Sequence, residues 1–138
     1  MDIDTLIALL DKKTSLLETI ASTSMLWWVS ATVLCVTILA GIYRYQDIVK
    51  NAPFRRSMGF LLYFFFSSIV LYGVLVTIIT AYELQDVRLL LTRLGAPPDM
   101  FDPEYFWILI GMPIGTSSFL ILLLVCHVMW RSIIRAEA

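Results

Sequence analysis

The sequence predicts an all-α integral membrane protein built on three transmembrane helices. Three observations predict it. First, 59% of its 138 residues are hydrophobic and 15% are charged, against roughly 45–50% and 25% in soluble domains. A chain this short has too little interior to hide that much apolar surface, so lipid is its expected solvent. Second, residues 25–43, 57–82 and 105–130 carry no Asp, Glu, Lys or Arg. Each run reaches the roughly 20 apolar residues that cross a ~30 Å hydrocarbon core. Third, hydrocarbon offers no hydrogen-bond partners, so each run must close its backbone bonds internally, as a helix.

Taken in chain order, residues 1–24 read as an amphipathic helix. Ile3, Leu6, Ile7, Leu10, Leu17 and Ile20 recur at steps of three and four, the helical period. Asp2 and Asp4 occupy its first turn, where they suit the helix dipole. Ser22-Thr23-Ser24 reads as a polar joint ahead of span one, residues 25–43. A cleaved leader is not expected there, because the apolar run exceeds the usual ~7–15 residues and an acidic segment precedes it. Residues 44–56 form a basic loop and residues 57–82 the second span. Residues 83–104 form an acidic loop containing a short amphipathic helix, with Leu84, Val87, Leu90, Leu91 and Leu94 on one face. Gly95 is its expected C-terminal stop and Pro97-Pro98 forbids continuation. The second span can run into this stretch as one long helix. Asp102-Pro103 reads as the cap and first residue of the third span, residues 105–130, and residues 131–138 form a short tail. Trp27, Trp28, Tyr43, Tyr45, Tyr82, Tyr105, Trp107 and Trp130 flank the spans, where half-wet rings are favoured.

Three spans put the termini on opposite sides. One side gathers Arg44, Lys50, Arg55, Arg56, Arg131 and Arg135; the other holds Lys12, Lys13, Arg88 and Arg93 among many more acids. Basic residues stay cytoplasmic, so the expected location is the cell membrane (in a bacterium the inner membrane), with the N-terminus outside and the C-terminus cytoplasmic. Lys50, Arg55 and Arg56 are the expected contacts for lipid headgroups.

The two extramembrane amphipathic stretches share one side in either orientation. Their stripes either pack on each other or lie flat at the interface. Alternatively Leu6, Leu10, Leu17, Leu84, Val87 and Leu91 form a docking surface for a partner. Within the spans, Gly111 and Gly115 form a GxxxG around Pro113, Gly73, Thr77 and Ala81 recur at four-residue steps, and Gly41 follows Thr37. Small residues let membrane helices approach closely. Such ridges serve either packing inside one chain or assembly with another.

Chemistry is sparsely signalled. His127 is the one ionisable group inside a span, one turn from its end and four residues before Arg131, and reads as interfacial. Cys35 and Cys126 sit in apolar runs and read as small apolar side chains. Asp99, Asp102 and Glu104 form an acidic, turn-like segment that lacks a calcium-loop pattern. No phosphate-loop, dinucleotide, zinc-protease, CxxC or GxSxG motif occurs. No cofactor, metal, nucleic-acid partner or enzymatic activity is therefore expected. The expected function is that of an accessory or regulatory membrane subunit, acting through helix packing and extracytoplasmic contacts with a membrane-protein partner or with itself. One alternative is a homo-oligomeric pore or permeabilising effector. Three spans with the N-terminus out and the C-terminus in resemble the topology of one class of phage holins, and the resemblance covers topology only. The other alternative is a small transporter subunit.

Overall fold

The computed structural model describes residues 2–96 and 103–135, with residues 103–109 as backbone only. Four helices account for nearly all of it: α1 (Ile3–Arg44), α2 (Gln46–Asn51), α3 (Arg55–Arg93) and α4 (Pro103–Arg135). There is no strand among the described residues. Three of the helices are long and apolar enough to cross a membrane: Ile3–Arg44, Arg55–Arg93 and Ile110–Arg135.

Two of them are longer than a bilayer core requires, because each continues without a break through a charge-bearing stretch, residues 3–24 in α1 and 83–93 in α3. At Ser22-Thr23-Ser24 the expected joint is absent, and α1 runs straight through. The hydroxyls there do not compete with the helix: Thr19 donates to the Ser15 carbonyl and Ser22 to the Thr19 carbonyl. Back-bonded in this way, a hydroxyl satisfies itself on the helix it belongs to. The second span likewise continues into residues 83–93 as the single helix α3. It stops where glycine permits. Gly95 has φ +77°, its N–H donates to the Thr92 carbonyl, and the Ala96 N–H donates to the Leu91 carbonyl. These are the two bonds of a Schellman cap. The basic loop holds the short helix α2. α4 starts at Pro103 and passes through Pro113; Asp102, the expected cap, lies outside the described residues, as do Pro97, Pro98 and Asp99.

The three long helices alternate in direction, and their side chains fix a common register. Lys13 pairs with Glu83, Trp27 stacks on Tyr72, and Leu17 packs with Leu84 and Val87. Gly73 lies against Thr116, Gly115 against Trp28, and Gly59 against Trp130. In that register the uncharged runs coincide in height. They end at Glu18 and Glu83 on one edge and at Arg44, Arg56 and Arg131 on the other. The shared uncharged band is roughly 25 residues deep, or about 38 Å at ~1.5 Å per residue, which covers a hydrocarbon core and its margins.

Two clusters hold the bundle. Inside the band, Ala31, Cys35 and Leu39 of α1 meet Phe66 and Ile69 of α3 and Phe119 and Cys126 of α4. Beyond the band, Leu17, Leu84 and Val87 form a smaller cluster, with Leu10 and Leu91 packed against it.

Candidate functional site

The residues expected to dock a partner are consumed by the chain's own fold. Leu6, Leu17, Leu84 and Val87 are buried, and Leu10 and Leu91 pack beside them. The apolar stripes of residues 3–24 and 83–93 therefore largely cover each other, and of these six residues Leu10 and Leu91 keep partial exposure. Lys13 ties the same helix pair, donating to Glu83 at 2.6 Å and to Asp86 at 3.1 Å. These two hydrogen bonds raise the Lys13 ammonium above its ordinary pKa of 10.5, Glu83 contributing most.

The expected small-residue ridges divide in two. Gly73 and Gly115 sit at close approaches: a Cβ on Gly73 would lie 2.8 Å from Thr116 Oγ1, and one on Gly115 3.0 Å from the Trp28 ring. Gly41 and Gly111 have open space where a Cβ would go, Ala81 is exposed, and Thr77 is half-buried. The closest approach is one the motifs did not flag. A Cβ on Gly59 would stand 2.6 Å from Trp130 Cζ2 and nearer still to Nε1. Trp130 is thus a buried packing ring and not a half-wet belt residue, and Trp27 and Trp28 are likewise half-buried against the core. Among the described residues, Tyr43, Tyr45, Phe54 and Tyr82 are exposed aromatic residues near the band edges. The side chains of Tyr105, Trp107 and Glu104 lie outside the described residues.

Many hydroxyls inside the band bond their own helix. Thr37, Ser68, Thr77, Thr80, Thr116, Ser117 and Ser118 each donate to the carbonyl four residues back. No buried side-chain N or O among the described residues lacks a partner. His127 Nδ1 is hydrogen-bonded to the Tyr63 hydroxyl at 2.7 Å, at the arginine-bearing edge. Arg56 is exposed there, Lys50 is half-buried in α2, and an Arg55 Nη1 donates to the Lys50 carbonyl. Cys35 and Cys126 are free thiols with 0% and 2% exposure. Buried thiols are inert, so both are expected to resist a membrane-permeant maleimide in the folded protein and to react after denaturation. Mass measurement before and after unfolding checks this.

What stays open is a furrow between α1 and α3. Three hollows of about 210, 430 and 260 Å³ adjoin along it; the first and third lie between α1 and α3, and the second is lined by α1 residues alone. The first two share Leu9 and Lys13, and the second and third share Thr19. On α1 the furrow runs from Leu9 to Ser24, and on α3 from Arg93 to Tyr72. No described residue of α4 lines it. It crosses the height of Glu18 and Glu83, so its lower end lies in the uncharged band and its upper end beyond it. No protein-family model, curated protein or solved structure matches this chain. The described residues therefore form an all-helical protein with three helices long and apolar enough to cross a membrane and an open seam beside α1 and α3.

Proposed function

We propose that this chain is a non-enzymatic accessory or regulatory subunit of the membrane, which docks another membrane-embedded chain along the α1–α3 furrow. Its three long helices cross the cell membrane, with the Glu18–Glu83 edge outside and the Arg44–Arg56–Arg131 edge cytoplasmic. The furrow carries the reading. Its lining mixes apolar side chains such as Leu9, Leu16, Ile20, Val76 and Ile79 with Lys13 and Asp86, and it spans the boundary between the uncharged band and the charged tip. That shape suits a helix that itself leaves the membrane. A pore finds less support, because Ser67, Ser68, Thr77 and Thr80 form no continuous polar line and the hydroxyls of the last three bond back to their own helix.

Extraction in mild detergent followed by native mass measurement tests the proposal. The expected result is a stoichiometric complex containing the chain and at least one further polypeptide chain. Recovery as a monomer under conditions that preserve other membrane complexes would overturn it.

A further inference from the structure

We infer that the α1–α3 furrow receives α1 of a second copy of this chain, giving a parallel two-fold pair. The inference rests on the docking reading above and names its partner.

Spacing is the first argument. The α1 wall includes Leu9, Lys13, Leu16, Ile20 and Thr23, which alternate four- and three-residue steps, with Lys12, Ser15, Thr19 and Ser24 beside them. The α3 wall includes Tyr72, Val76 and Ile79, then Asp86, Leu90 and Arg93, in the same rhythm, with Leu89 beside them. Both walls thus contain heptad-spaced positions of the kind along which helices pack side by side. The length excludes a lipid chain as the occupant of the whole furrow. From Leu9 to Ser24 the furrow extends roughly 22 Å at ~1.5 Å per residue, well past the edge of the uncharged band. An acyl chain ends at that edge, whereas a helix continues.

Symmetry and charge choose the second copy. Two copies inserted by the same rule point the same way, so a two-fold axis relating them lies along the membrane normal, parallel to the furrow. Rotation about it sets the α1 rim of one copy against the α3 rim of the other at equal height. The α1 rim carries Lys12, which is exposed and has no ion pair among the described residues. The α3 rim carries Asp86, whose side chain is 54% exposed. Asp86 already bonds Lys13, the residue after Lys12, so the two rim charges stand at matching heights. The pair brings Lys12 to Asp86 on both sides of the axis. Opposite charges flanking a heptad seam set partner choice and orientation in just this position.

The test places a photoactivatable benzophenone on single cysteines in the full chain, irradiated in its native membrane. Cys35 and Cys126 are buried and stay unlabelled. Leu9→Cys and Leu16→Cys chains are expected to give a product of twice the chain mass, while Asp4→Cys and Asp11→Cys chains, on the outer face of α1, do not. Lys12→Glu should abolish the doubled product, and adding Asp86→Lys should restore it. Equal doubling at all four positions would mean random collision and overturn the inference. A product of another mass would overturn the second copy while leaving the docking reading intact. Absence of any protein adduct at Leu9 and Leu16 would overturn both.

Discussion

Gly59→Ala is expected to destabilise the bundle by about 1–3 kcal/mol, the cost of overpacking a filled core, and Gly59→Leu by more. The added Cβ would stand 2.6 Å from Trp130 Cζ2 and closer to two other ring atoms. Real Cβ contacts essentially never fall below 3.0 Å. Trp130 cannot simply swing clear, since its ring is rigid and 5% exposed. Either α4 moves away from α3 or the ring leaves its seat, and both forfeit contact along the most extensive helix pairing in the fold. Within lipid, that contact is mostly dispersion, because hydrocarbon is as apolar as the side chains it replaces. The cause can be separated from helix propensity. Gly→Ala inside a helix should by itself stabilise by roughly 0.5–1 kcal/mol, so the clash has the opposite sign to the backbone effect. Combining Gly59→Ala with Trp130→Leu should recover part of the loss, with a coupling energy of about 0.5–3 kcal/mol. Gly41→Ala, at a site with nothing within 4 Å, is the control and should be neutral or slightly stabilising. Unfolding titrations in mixed detergent micelles measure all four. If Gly59→Ala proves as stable as the parent, the Trp130 seat is not where the bundle closes.

The parts of the fold legible in the sequence are those set by solvent and local period. Uncharged runs longer than a bilayer core have one stable backbone solution, and the three helices follow. The leucine face from Leu84 to Leu94 and the stop at Gly95 are likewise local signals, one of spacing and one of positive φ. What stayed hidden depends on a partner far along the chain. Gly59 belongs to no repeat of small residues, and its role exists only because Trp130 reaches it from α4. The GxxxG of Gly111 and Gly115 was visible, yet only Gly115 meets a large ring. The facing residue decides, and the motif does not contain it. Ser22-Thr23-Ser24 misled for a related reason. Polar composition suggests a joint, but hydroxyls that bond their own helix cost it little, so α1 stays whole. The docking residues were read from true stripes, and only the register of α1 on α3 shows that each stripe covers the other.

That mutual cover gives the second large expected effect. Leu17 has 0% exposure and sits at the centre of the smaller cluster, beyond the uncharged band, with Leu84 and Val87. It lies about one residue beyond the edge of the uncharged band, so its burial removes apolar surface from water, and the hydrophobic term applies there as it does not in the band. Leu17→Asp loses about 1.5–3 kcal/mol of that burial and adds the cost of a carboxylate with no partner. The sum reaches the roughly 4–5 kcal/mol that marks the severe tail of single substitutions. The bundle does not have to unfold to escape it. The tip is tied by this cluster, the leucines packed beside it and the Lys13 bonds, so α1 and α3 should part above Glu18 and Glu83 while the core around Cys35 and Phe66 persists, a local opening. Carbodiimide coupling reads the tip directly, because Lys13 and Glu83 stand 2.6 Å apart and form an amide when activated. The Lys13–Glu83 link should be found by peptide mass in the parent and lost in Leu17→Asp. It should survive in Ile7→Asp, where the replaced side chain is 52% exposed. Amide exchange should rise from Leu6 to Leu17 and stay slow from Ala31 to Leu39. Persistence of the link in Leu17→Asp would mean that the two helices are held together at the tip by something other than the leucine cluster.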